Sequence, residues 1–104
     1  MSTSLNKYDA LEALIFEEGL RIQAITFHTD LDLMLVVLNT KAVLRQRLSS
    51  FAQLKNAATE ALQQYQLIAG GTGVHWPRLD ADLSLKGFLR EELRSAVTNN
   101  SRAA

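Results

Sequence analysis

Apolar side chains recur along the chain in different rhythms, and each rhythm predicts a different element. Over residues 7–18, Tyr8, Leu11, Leu14 and Ile15 fall at helical spacing, with acids on the other side and Gly19 where a helix would stop, which predicts a short helix. From Leu20 the period shortens. Leu20, Ile22, Ala24, Thr26 and His28 alternate with Arg21, Gln23, Ile25 and Phe27, and the β-branched content favours a strand. After a turn at 29–32, residues 33–38 are apolar on both faces, as an interior strand would be. Asn39, Thr40 and Lys41 then predict a hairpin loop into a third strand over 42–48. In that strand Val43, Arg45 and Arg47 share one face while Leu44, Gln46 and Leu48 share the other, so one face is expected to be wet and basic.

The helical rhythm returns most clearly in Leu54, Ala57, Ala58, Ala61, Leu62 and Tyr65, which predicts a central amphipathic helix packed on the sheet. Ser50 and Gln53 stand at capping-box spacing at its start, and it is expected to end near Gln66. A short strand over 66–69 leads into Gly70, Gly71, Thr72 and Gly73, after which Val74, His75 and Trp76 read as extended up to Pro77. The last helix is expected to begin after Ser84, with Leu85, Phe88, Leu89, Leu93 and Val97 on its buried stripe and Lys86, Arg90 and Arg94 outside. Asp80 and Asp82, just ahead of it, read as acids that satisfy free amides and complement its dipole. Residues 98–104 are small and polar and expected to fray, and no internal repeat is visible. The sum is an α+β fold in a single domain over 1–104: an antiparallel sheet of three to four strands, packed by a central amphipathic helix, with short N-terminal and C-terminal helices.

Composition narrows the chemistry by exclusion. The 104 residues contain no cysteine, so a disulfide framework, a thiolate zinc site, an iron–sulfur cluster and a thiol nucleophile are all ruled out. The most apolar run, 31–38, is far too short to cross a bilayer, and a cytoplasmic protein with no membrane role is expected. Eleven basic residues balance 11 acidic ones, so bulk charge gives no reason to expect nucleic acid or an anionic membrane. The balance conceals a dipolar layout. Residues 1–32 hold two cations against six acids, whereas 33–56 hold Lys41, Arg45, Arg47 and Lys55 with no acid.

Candidate chemical motifs fare less well. The loop from Gly70 to Gly73 runs into a strand, where a phosphate cradle would need a helix N-terminus, so it reads as turn geometry. His75, Asp80 and Asp82 lie close in sequence and suggest a metal cluster or an acid/base group, but a metal site needs three or four converging ligands, and the other histidine, His28, would have to arrive from the first strand. Ser49 and Ser50 have no histidine at an informative spacing. Trp76 before Pro77 reads first as a core anchor that orders its loop. The expectation is a protein that is not an enzyme and that uses neither metal nor cofactor.

Residues 51–59 (Phe-Ala-Gln-Leu-Lys-Asn-Ala-Ala-Thr) and 71–84 (Gly-Thr-Gly-Val-His-Trp-Pro-Arg-Leu-Asp-Ala-Asp-Leu-Ser) resemble the bacterial domain of unknown function 2442 family. Within the second block Gly71, Gly73, His75, Trp76, Pro77, Asp80, Asp82 and Ser84 carry the likeness. It spans residues 20–89, so the helix over 1–19 is an extension outside the family-like core. The hairpin departs from the family pattern in having no glycine among Asn39, Thr40 and Lys41. The resemblance implies a small α+β domain with no established enzymatic activity. It also implies a companion of another small protein, in a gene arrangement similar to toxin–antitoxin pairs. The expectation is therefore a non-catalytic, antitoxin-like interaction module. Its small protein partner would meet Arg45 and Arg47, or the surface around His75, Trp76 and Arg78, and a homo-oligomer is compatible with the same reading. The alternative is a nucleic-acid-binding autoregulator acting through the basic segment 41–55, although two arginines without interleaved aromatics are a sparse footprint.

Overall fold

A computed structural model of the protein describes residues 8–103, and their side chains as far as Thr98. Asp9 opens the first helix, α1 (Ala10–Phe16), through a reciprocal cap. Its carboxylate accepts the Glu12 N–H at 2.8 Å, and the Glu12 carboxylate accepts the Asp9 N–H at 3.1 Å. The chain leaves α1 through Gly19 at φ 78°, where the Leu20 N–H returns to the Leu14 carbonyl at 3.0 Å.

Three antiparallel strands follow, β1 (Ile22–His28), β2 (Leu33–Leu38) and β3 (Val43–Arg47), with β2 in the middle. The expected alternation in β1 is broken once. Ile22 pairs with Leu38 and Ala24 with Val37, so Gln23 is the extra residue of a bulge, and Ile22 and Ile25 both reach the core. Between β2 and β3 the Lys41 N–H donates to the Leu38 carbonyl and the Leu38 N–H to the Ala42 carbonyl, each at 2.9 Å. Lys41 stands at φ 78°, the left-handed position that glycine usually fills in a three-residue hairpin loop.

The central amphipathic helix expected over 50–66 does not form. A 3₁₀ turn (Leu48–Ser50) is followed by turns over 51–56, and only α2 (Thr59–Gln63) is α-helical. Ser50 caps nothing there: α2 has Ala58 at its N-cap with no side-chain hydrogen bond, and Asn56 at φ 64° interrupts the path before it. The apolar stripe is nevertheless buried at Leu54, Ala61 and Leu62. Tertiary packing, rather than helical continuity, places those side chains.

A second antiparallel sheet replaces the expected fourth strand. It comprises β4 (Gln66–Ile68), β5 (Gly73–Trp76) and β6 (Ala81–Ser84), with β5 central. The fold is thus α+β with two three-stranded sheets rather than one sheet of three to four strands. Each sheet is the same unit of strand, 3₁₀ turn, strand and strand, followed by a helical segment, an architectural duplication with no visible counterpart in the sequence. The last helix, α3 (Leu85–Ala103), starts where expected, with the Ser84 hydroxyl accepting the Gly87 N–H at 3.0 Å. Its buried stripe is shorter than expected: Leu85 and Phe88 are fully buried, whereas Leu93 and Val97 are 57% and 66% exposed. The backbone stays helical to Ala103, and the side chains of 99–104 in the stretch expected to fray lie outside the described residues.

Both sheets contribute to one core. The Phe27 ring meets Tyr65 and Trp76 edge-on at 5.8 and 6.3 Å, and Phe51 meets Phe88 at 5.6 Å. The Tyr65 hydroxyl accepts the Ile25 N–H at 3.0 Å and so occupies an edge group of β1.

Candidate interaction surface

The pleat sorts the first sheet into an inner face in the core and an outer face that carries the basic residues. Thr26, Leu35 and Arg45 stand opposite one another across the three strands, as do His28, Leu33 and Arg47. Leu33, Leu35 and Val37 therefore form a half-buried aliphatic strip along β2, bordered by exposed Val43, Arg45 and Arg47 on β3. The Arg47 Nη1 lies 3.8 Å from the Asp32 carboxylate, but the Arg47 side chain is 73% exposed, so this contact leaves the guanidinium largely to solvent. Asp32 is already held by Ser49, whose N–H and hydroxyl donate to it at 2.9 and 2.5 Å. Among the described residues Arg45 has no ion pair.

Behind this face, on the core side of β3, Gln46 is only 2% exposed. Its Nε2 faces the Arg45 carbonyl at 3.2 Å, the Phe88 carbonyl at 3.3 Å and the Glu92 carboxylate at 3.2 Å, while its Oε1 has no partner. A lone glutamine on the apolar face of a strand was the available signal for this site, and sequence reasoning passed over it.

The 71–84 block builds the second sheet. Gly71 takes φ 96°, and a Cβ there would stand 3.0 Å from the Ile22 carbonyl and 3.2 Å from the Arg21 Cβ, so only glycine lets this loop lie against the start of β1. At Gly73 a Cβ would crowd Ile68 at 3.1 Å. His75 and Asp82 are cross-strand partners, with Nδ1 and Oδ1 2.7 Å apart. Trp76 is fully buried and its indole N–H donates to the Leu62 carbonyl at 3.0 Å. It is a core anchor and offers no surface to a partner. Pro77 and Arg78 are exposed in the turn between β5 and β6, where Asp80 adopts φ 49°. Asp80 and Asp82 thus serve a turn and a strand rather than the start of α3, which Ser84 caps. The residues named as partner contacts do not converge: Arg45 and Arg47 lie on the first sheet, His75 and Arg78 on or beside the second, and Trp76 in the core. Among the described residues no three histidine or acidic side chains come together as a metal site, and no helix is long and apolar enough to cross a membrane.

A separate charged cluster fixes α1. The Lys86 ammonium lies 2.9 Å from both Asp9 and Glu12 and joins α1 to α3. Its hydrogen bonds hold both carboxyls below their ordinary range, and the two carboxylates, Asp9 first, push the lysine up.

Residues 22–94 match the family described as "Protein of unknown function (DUF2442)", and the chain belongs to that family. Two solved structures share its fold. A protein of unknown function from Rhodospirillum rubrum superposes with a TM-score of 0.63 at 23% identity, over 70% of this chain and 88% of its own. An uncharacterised protein from Chromobacterium violaceum gives 0.64 at 23% identity, over 88% and 87%. No curated protein matches the chain.

Proposed function

We propose that the protein is a non-catalytic interaction module whose outer β1–β2–β3 face docks an acidic, partly apolar segment of a small protein partner. The observation that carries this reading is the pairing of an aliphatic strip, Leu33, Leu35 and Val37, with a basic border at Arg45 and Arg47 on the same open face. Half-buried aliphatics supply contact area and arginines supply anchoring and charge selection, the division of labour found in protein interfaces. A phosphate backbone would have no use for the strip, which favours a protein over nucleic acid. The antitoxin-like companionship implied by the family resemblance would use this same face.

Co-expression with the product of the neighbouring gene, followed by size-exclusion chromatography, tests the reading. Co-elution that is lost in the Arg45→Glu/Arg47→Glu variant is the expected result. Co-elution indifferent to that change, or none at all, overturns it.

A further inference from the structure

We propose that the acidic helix α1 of a second copy of this chain docks on the outer face of β1–β2–β3, so that the protein associates with itself; this rests on reading that face as a docking surface. Two features of α1 complement the face. Phe16 is 53% exposed although its ring stacks on that of Tyr8 at 5.2 Å, and Leu14 beside it is 37% exposed. Glu17 and Glu18 beside them are exposed and, among the described residues, form no ion pair. They match the aliphatic strip and the arginines in kind and in sign.

The helix cannot satisfy its own sheet. Lys86 pins α1 to α3 through Asp9 and Glu12, Ile15 is buried in the core, and α3 packs behind β3 where the Phe88 carbonyl meets Gln46. Held in this way, α1 makes no ion pair, among the described residues, with Arg45 or Arg47 of its own chain, and the cleft at Leu33, Arg45 and Arg47 is bordered instead by the later turns of α3, so Glu17 and Glu18 meet those arginines between molecules. Two copies related by a two-fold axis would make the contact twice, which closes the assembly as a dimer.

Sedimentation equilibrium at low and high salt, with charge-reversed variants, decides the matter. The wild type is expected to dimerise, with an affinity that falls as salt rises. Arg45→Glu/Arg47→Glu and Glu17→Lys/Glu18→Lys, each alone, are expected to weaken dimerisation more than about tenfold. Neither should unfold the protein, because the arginines are exposed and lysines at the C-terminal end of α1 suit its dipole; circular dichroism melts check this. Mixed in equal amounts, the two variants should form a heterodimer, since each acidic surface then finds a basic one. A wild type that is monomeric at every concentration, or two folded variants that stay monomeric when mixed, overturns the proposal. If that monomer still binds the neighbouring gene's product through Arg45 and Arg47, only self-association falls; if it binds nothing, both readings fall.

Discussion

The indole N–H of Trp76 donates to the backbone carbonyl of Leu62 at 3.0 Å inside the core, tying the middle strand of the second sheet to α2. Leu62 lies in the last turn of α2, where carbonyls lack a helical partner. Trp76→Phe therefore leaves a buried acceptor unpaired as well as a small void, and should lower stability by about 1–3 kcal/mol. Trp76→Ala should cost about 3–5 kcal/mol. Urea midpoints compare the three proteins. A Phe variant as stable as the wild type would show that the hydrogen bond contributes nothing.

At Lys41 a lysine occupies the left-handed position of the β2–β3 loop, at φ 78°. An L side chain there is disfavoured by roughly 1–2 kcal/mol, partly offset by the extra freedom glycine gives the unfolded chain. Lys41→Gly should raise stability by about 1 kcal/mol and the melting temperature by about 4–8 °C, and Lys41→Val should lower both. Calorimetric melts of the two variants measure it.

The first sheet was legible because it obeys a period of two: β2 occupies the expected residues, and Val43, Arg45 and Arg47 are exposed as the alternation requires. The segment after it was misread for a definite reason. The Leu54 N–H bonds to the Phe51 carbonyl, the Ala57 N–H to Leu54 and the Ala61 N–H to Ala58, so successive turns bring every third or fourth residue inward. That spacing is indistinguishable from one face of a helix. β6 escaped notice because Asp82 and Ser84 point outward and its only ladder is with β5. Family membership was legible in the residues from Gly71 to Ser84, and the structure explains Gly71, Trp76 and Ser84 as loop clearance, core anchor and helix cap. The aliphatic strip on the outer face is defined by strand register, and Gln46, although its place on the apolar face of β3 was readable, gains its partners only through the position of α3.

Lys86 should govern whether α1 stays docked. The carboxyls of Asp9 and Glu12 are held below their ordinary values, so their stabilisation is complete above the ordinary carboxylate range and is lost as pH falls through the lowered values. The lysine is raised, so its share is complete below the ordinary lysine value of 10.5 and is lost as pH rises through the raised one. Attachment of α1 is therefore firmest between those two ranges. Hydrogen exchange should show α1 amides losing protection in acid before the strands do. Lys86→Met should weaken that pH dependence, leaving the part carried by the backbone N–H bonds of the Asp9–Glu12 cap, while β1–β3 keep their protection; a Met variant whose α1 loosens in acid as strongly as the wild type would assign the effect to groups other than Lys86.

Gln46 separates shape from polarity at a buried position. Its Oε1 has no partner and its two Nε2 hydrogens face three acceptors, so the amide is poorly repaid for leaving water. Gln46→Met keeps the volume, removes the unpaired oxygen and should change stability by less than about 1.5 kcal/mol in either direction. Gln46→Glu places a carboxyl among two carbonyls and the Glu92 carboxylate, all acceptors, with burial and like charge both opposing its ionisation. Its loss at neutral pH should reach about 3–5 kcal/mol. Because the folded protein would hold this carboxyl protonated, the penalty should grow as pH rises above the unfolded carboxyl value and shrink below it. Urea titrations of both variants at pH 4 and pH 7, about either side of that value, make the comparison. Equal losses in Met and Glu, independent of pH, would mean that the side chain of Gln46 matters for its packing and that its unpaired oxygen costs nothing.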